Sequence, residues 1–380
     1  MSAHVFASGS SGIAAVLDLM AWFLAAVILL VAVLFHRLPE ITRPDIFFAV
    51  TVNPDFRASG DARHVLGQFR IALWIQTAIA VAIVFAGTAA GSTWVPLAGI
   101  FWQAAGVLAA FLRARSGTLP HAAAPTGQRE AELAPRSAGG VSFGLLQAGP
   151  FAILAACAAY LKANWKRIPE RFPVHWGADG RPNGWATRSP SGVYGPLVTG
   201  AIIIALLVVL SYAILILTRH VRASGAAAGA ESRFRQAQLG VLVVVEYFVA
   251  TMLAGVPLLA LRQQASQMPS VAPVIVGALV LVVGIFAVLI YTGQGGARLA
   301  RAEGPGAAQS AVVGDRTPDR CWKAGMFYVN PDDPAILVEK RFGIGYTLNF
   351  GHPAAWILTG ALLLVAVLSA VIAGLSTHAH

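Results

Sequence analysis

Apolar residues in this chain come in long, nearly unbroken blocks, separated by shorter polar stretches. Eight such blocks stand out, at 13–35, 71–89, 94–112, 143–163, 193–218, 239–261, 272–292 and 354–374. About 20 apolar residues carry a helix across the hydrocarbon core of a bilayer, so each block predicts a transmembrane helix. Short segments of alternating polarity, the mark of a membrane β-barrel, are absent. The expected fold is therefore an all-α polytopic membrane protein of about eight transmembrane helices. Gly149 and Pro150 interrupt the fourth block. A helix beginning at Pro150 loses no hydrogen bond, since the first N–H groups have no helical acceptor, and the start is expected there.

The polar stretches differ in texture. Residues 293–320, like 113–140, are rich in Ala, Gly, Pro and Ser and read as flexible linkers. A shorter stretch of the same kind covers 219–236. Residues 321–352 read differently. MFYVN, AILVEK and IGYTLNF carry strand-forming residues, separated by the turn sequences NPDDP and FG. They predict a small three-stranded β-meander, and a sheet of that size needs support from outside, here the membrane domain. The organisation expected is a three-span region over 1–140 and a two-span unit over 141–220 carrying a loop at 164–192. A second two-span region over 221–292 follows, then the linker, the β-module and a last span with its tail over 353–380.

Composition agrees with the pattern. Of 380 residues, 57% are hydrophobic and 12% charged, about half the charged fraction of a soluble domain. The net charge of +10 suggests no nucleic acid here, because basic residues concentrate in the cytoplasmic loops of membrane proteins. With the N-terminus outside, the inner loops hold 20 Lys and Arg and the outer ones 7. That split predicts both termini outside, the β-module in the cytoplasm and the 164–192 loop facing out. The first twelve residues lack Lys and Arg, which disfavours a cleaved signal peptide. Cys157 lies in an apolar block and Cys321 in a polar one, so neither a disulfide nor a metal spacing is expected.

Candidate chemistry concentrates in the outward loop, around RFPVHWGADGRPNGW at 171–185. Pro169 and Pro173 favour extended backbone before them. Gly177, Gly180 and Gly184 tolerate positive φ, and Pro182 stiffens the turn between the last two. Trp165, Trp176 and Trp185 suit the headgroup layer. The loop thus reads as rigid and pinned to the membrane surface, with His175, Trp176, Asp179, Arg181, Asn183 and Trp185 forming a recognition surface. His175 and Asp179 alone are too few ligands for zinc, and no nucleophile with an orienting base accompanies them. A membrane-embedded hydrolase using this pair is a third reading; neither catalysis, metal nor cofactor is expected. Two acids fall within spans, Asp18 and Glu246. Carboxylates at that depth mark ion or proton sites, or structural acids near the interface. Gln76, Gln103 and Gln147 read as interhelical hydrogen-bonding residues. In the β-module, Asp332 and Asp333 are explained by turn formation without a cation, and Gly343 and Gly345 do not make a dinucleotide fingerprint.

The stretch IPERFPVHWGADGRPNGWATRS resembles the signature of domain of unknown function 1648, found in bacterial immunity proteins of the SdpI type. Pro169, Pro173, His175, Gly180, Pro182, Asn183 and Trp185 occupy its places. KAGMFYVNPDDPAILVEKRFGIGYTLNF resembles a second module, domain of unknown function 5808, and its candidate residues in the cytoplasm are Tyr328, Asn330, Pro331, Asp332, Asp333, Lys340, Arg341, Gly343, Gly345 and Asn349. Residues 46–70 resemble the inner segment of long relatives of this kind. The resemblance implies a bacterial inner-membrane protein without known catalysis, related to proteins that protect cells from a secreted toxic peptide. The expected function is recognition of an extracytoplasmic peptide or lipid-like ligand, for immunity or signalling, with a cytoplasmic protein partner at the β-module. The alternative is a secondary transporter with Glu246 as its coupling site.

Overall fold

The structure is a computed structural model, and it describes residues 3–92, 94–124, 141–176, 182–217, 226–261, 272–296, 298–299 and 317–378. The helices are α1 (Ala3–Ile41), α2 (Gly60–Ala89), α3 (Val95–Thr118), α4 (Val141–Ala163), α5 (Pro190–Leu217), α6 (Ala226–Leu258), α7 (Ala272–Thr292) and α8 (Pro353–His378). Four two-stranded antiparallel pairs lie between them: β1–β2 (Ile46–Phe47, Val50–Thr51), β3–β4 (Arg171–Trp176, Pro182–Thr187), β5–β6 (Trp322–Lys323, Phe327–Tyr328) and β7–β8 (Leu337–Glu339, Tyr346–Leu348).

Seven of the described helical stretches are long and apolar enough to cross a membrane, from Leu17–Ile41 to Pro273–Thr292. Large apolar side chains such as Ile71, Ile75, Leu145, Val209, Ile216 and Val280 stand exposed on them. In water such a surface would be a liability; in lipid it is the solvated face. The chain is a multi-pass integral membrane protein. The eighth expected span is not matched in kind, because the apolar stretch of α8 among the described residues, Pro353–Leu364, is shorter than the other seven.

Helices α1, α2 and α3 pack together, α4, α5 and α6 form a second group, α7 packs on α1 and α6, and α8 packs on α5. In the first group α2 begins well before its apolar block. Ser59 caps it by accepting from the Ala62 N–H at 3.1 Å, and Asp61 sits in the first turn, where the helix dipole favours an acid. The 46–51 hairpin folds into the end of this group. Phe47, Phe48 and Val50 join Phe69 and Phe111 in one buried cluster. Arg57 holds the approach to it, donating to the carbonyls of Pro39, Arg43, Pro44 and Ile46 and, at 2.8 Å, to the Thr42 hydroxyl.

Three local expectations are corrected. Helix α4 starts at Val141 and passes through Pro150, because packing against α5 and α6 outweighs one lost backbone bond. Part of the stretch expected as a linker at 219–236 is the beginning of α6. The β-module is two hairpins, not a three-stranded meander. The strand after NPDDP does not pair with β6; the strand pairing between the two hairpins is a single bridge, Tyr328 to Asn349. The cause is Asn349, whose side-chain amide donates to the carbonyls of Asn330, Asp333 and Ala335 at 2.8–3.1 Å. Those backbone groups curl around one side chain instead of joining a strand ladder. Residues 125–140 and 300–316, the bulk of the two longer linkers, lie outside the described residues.

The module leans on the membrane domain, as so small a sheet requires. Arg43 at the end of α1 pairs with Glu339, and the Gln294 side chain bonds the Lys340 carbonyl. Arg341 pairs with Asp319, which also accepts from the Thr51 hydroxyl at 2.7 Å. Phe342 stacks on Phe111 of α3, with ring centroids 3.6 Å apart, and lies 5.4 Å from Phe35 of α1. Leu337 and Leu348 pack with Ile214, near the end of α5. The β3–β4 hairpin sits against the opposite end of the same helix.

Candidate functional site

The short loop between α4 and α5 folds as a hairpin built onto the helix ends. Asn164 follows the last turn of α4, donating to the Tyr160 carbonyl at 2.9 Å, and a short 3-10 turn over Trp165–Arg167 carries the chain sideways. Strand β3 then runs antiparallel to β4 with Arg171 opposite Thr187, Phe172 opposite Ala186, Pro173 opposite Trp185 and His175 opposite Gly184. The register shifts on either side of His175. Such irregularities bend a strand and re-aim its side chains.

Alternation gives the hairpin two faces. Phe172 and Ala186 are buried in one cluster with Ile168, Val193 and Leu197, and through them with Leu154, Leu161 and Ala254 of the helices. On the other face the exposed Arg171 lies over the Trp185 ring, its guanidinium carbon 5.3 Å from the centroid. The ends are tied by Arg188, which donates to the Ile168 carbonyl at 2.9 Å and lies 3.7 Å from the Glu170 carboxylate. Ser189 caps α5 by accepting from the Gly192 N–H at 3.1 Å, with Pro190 at the first helical position.

Gly192 is where hairpin and helix meet most closely. A Cβ there would collide with the Thr187 carbonyl oxygen, a backbone atom with no room to yield. Gly192→Ala is therefore expected to destabilise this junction by about 1–3 kcal/mol. Unfolding of the detergent-solubilised protein measures the loss, and faster proteolysis near 187–192 locates it.

At the foot of the hairpin a shallow groove of about 590 Å³ is lined by Ala158, Ala159 and Lys162 of α4, Trp165, and Pro190 and Tyr194 of α5. The rings of Trp165 and Tyr194 stack with centroids 5.8 Å apart. An apolar floor, an aromatic wall and one ammonium group make a surface suited to an amphiphile with an anionic group.

Of the residues expected to recognise a ligand, Trp185 is on the outward face, and His175, Trp176 and Asn183 lie in the two strands. Gly184 and Pro182 are strand residues rather than turn residues. Asp179 and Arg181, with Gly177 and Gly180, lie outside the described residues. Lys162 and Tyr194 were not singled out by sequence reasoning, since each stands in an otherwise apolar helix. The Ser-Pro-Ser-Gly run at 189–192 is the signal that places Tyr194 in the first turns of α5.

The two intramembrane acids are not brought together. Asp18 is exposed on α1, whereas Glu246 on α6 is 0% exposed and faces Gln147 of α4. Neither carboxylate oxygen has a hydrogen bond of acceptable geometry. The other two intramembrane glutamines differ from Gln147. Gln76 and Gln103 both donate to the Thr77 hydroxyl, at 3.4 and 3.3 Å, and so join α2 to α3.

In the module several of the expected residues contact one another. Tyr328 donates to Asp333 at 2.9 Å and accepts from Asn330 at 3.0 Å. Asn330 also accepts from the Asp332 N–H at 3.2 Å, an Asx turn that closes NPDDP at Pro331. Lys340 and Gly345 are joined by a backbone bond of 2.9 Å across a turn in which Gly343 and Gly345 take φ of +90° and +108°. Arg341 is buried. Among the described residues no group of three or more His, Cys, Asp or Glu could hold a metal ion.

Comparison with known proteins agrees with the motif resemblance. Residues 152–200 match a domain of unknown function, DUF1648, and residues 331–356 match a family of unknown function, DUF5808. No curated protein and no solved structure matches the chain. The first match spans the ends of α4 and α5 with the whole hairpin, and the second runs from NPDDP into α8. The chain is thus a multi-pass membrane protein that carries a DUF1648 domain, as the α4–hairpin–α5 unit, and a DUF5808 domain, as the second half of its β-module.

Proposed function

We propose that this protein is a non-enzymatic receptor or protective protein of the bacterial inner membrane. Its β3–β4 hairpin faces outside and binds an amphipathic, anionic peptide or lipid-like ligand. The observation that carries the reading is the groove between Lys162, Trp165 and Tyr194, at the foot of a hairpin whose other face presents Arg171 and Trp185. Two further facts support it. The basic residues divide 20 to 7 between the loops in favour of this orientation. The hairpin and the β-module pack at opposite ends of α5. The rigid core beneath the hairpin keeps its exposed face pre-organised, which lowers the ordering cost of binding. Such a surface would serve immunity of the SdpI type, which the resemblance implies. The β-module, clasped to α1 and α3, presents a partner with its remaining face.

The test is survival of cells expressing the protein under challenge by envelope-active peptides. Wild type is expected to protect, and Lys162→Ala and Trp185→Ala to lose on the order of tenfold in protection, which corresponds to about 1.4 kcal/mol of binding. Full protection by both variants, at wild-type levels in the membrane, sinks this reading.

A further inference from the structure

A second site lies inside the α4–α5–α6 group. Glu246 and Ser211 are 0% exposed and Gln147 3%, and five of their side-chain atoms lack a hydrogen-bond partner. These are the Gln147 Oε1 and Nε2, the Ser211 Oγ and both Glu246 oxygens.

The helix packing brings the three to nearly one level. Helices α4 and α6 run parallel with a constant offset: Tyr247 fills the space left at Gly149, and the Cys157 thiol donates to the Ala254 carbonyl at 3.4 Å. That offset sets Gln147 beside Glu246. Helix α5 runs antiparallel, since Gly200 meets Leu154 and Leu253, while Tyr212 meets Phe143. Ser211 then falls about one turn from Glu246, toward the β-module. Further that way, Gln238 of α6 also has an unpartnered Oε1, and its amide lies next to Gly345 of the module. Pro150 adds one more acceptor. It cannot donate to the Leu146 carbonyl, one residue from Gln147.

Acceptors crowd this site, and among the described residues no countercharge faces it. Among the helices packed on α6, α5 has no charged residue, α7 offers only Tyr291, and the nearest titratable side chains are the phenols Tyr212 and Tyr247. Lys162 of α4 and Arg233 and Arg235 of α6 each lie roughly 15–20 Å or more away along the axes. Glu231 lies further still toward the module end. An isolated carboxylate in such surroundings takes up a positive charge rather than remain ionised.

We propose that Gln147, Ser211 and Glu246 form an intramembrane proton-binding site, reached from the β-module end past Gln238. Glu246 carries the proton; Gln147 and Ser211 supply hydrogen-bonding groups to its carboxyl. The inference goes beyond the hairpin reading and does not depend on it.

The test is labelling of the full-length protein in membranes with N,N′-dicyclohexylcarbodiimide, which attacks protonated carboxyl groups in apolar surroundings, followed by peptide mapping. The expected result is an adduct at Glu246 that fades as pH is raised, is unchanged by Na⁺, and is lost in Glu246→Gln. Gln147→Ala and Ser211→Ala are expected to shift the pH at which it fades. No adduct at Glu246 in correctly folded wild type overturns the proposal. Protection by Na⁺ at fixed pH overturns the proton as occupant in favour of a metal cation. A pH response identical in wild type, Gln147→Ala and Ser211→Ala reduces the site to a lone acid.

Discussion

Asp319→Ala is expected to cost about 3–5 kcal/mol and to free the β-module from the helices. The Arg341 side chain that Asp319 pairs with is only 1% exposed, packed over the Trp322 ring at 5.4 Å and bonded to Thr317. Removing the acid leaves that buried guanidinium without its carboxylate, which is worse than removing both charges. The same carboxylate accepts from the backbone and hydroxyl of Thr51, so its loss also opens the contact between the module and the 46–51 hairpin. Unfolding of the solubilised protein measures the total. Limited trypsin digestion separates the causes, with early cleavage at Arg320, Lys323 or Lys340 expected while the membrane helices stay protected. Arg341→Met with Asp319→Ala should recover much of the loss. If the double variant is no better than the single, the account of a stranded charge is wrong.

Asn349→Ala is expected to be as damaging, by a different route. This side chain is fully buried and makes five hydrogen bonds, three donated to carbonyls and two accepted from the N–H groups of Asn330 and Gly351. An orphaned buried polar group costs about 1–3 kcal/mol, so the total comes to about 3–5 kcal/mol after partial rehydration. Asn349→Asp should do no better, because a carboxylate cannot donate to the three carbonyls. Loss of near-ultraviolet dichroism from Trp322, with helical content kept, is the expected signature. A module that melts with wild-type behaviour in either variant would remove Asn349 from its central position.

Much of the architecture could be read from residue order alone. Seven long helices were legible because a lipid-spanning helix needs only local information: about 20 apolar residues satisfy both the bilayer and their own backbone. The hairpin unit was legible as a stiff segment for a related reason, since proline, glycine and aromatic residues constrain backbone within a few positions. Its strands were not foreseen. Pro173 and Pro182 argue against regular pairing, and burial of Phe172 and Ala186 on the helix ends is what stabilises it. The meander failed because Asn349 competes with a strand ladder from 19 residues away, a distance at which no pattern of apolar and polar positions carries information.

The candidate sites divide the same way. Trp185 and His175 stand out in sequence as polar or aromatic residues where the chain turns. Lys162, Tyr194 and Ser211 do not, since each is one residue in an apolar helix. Local physics, apolar length and turn chemistry, settled that this chain spans a membrane and where its helices fall. Which helix faces meet was left to packing. The closeness of Gln147 to Glu246 and the groove beside Trp165 depend on how the helices pack, and the burial of Arg341 against Asp319 on how the β-module folds. Small residues permit these approaches, Gly149 between α4 and α6 and Gly192 between hairpin and helix, and their role shows only when the second element is in place.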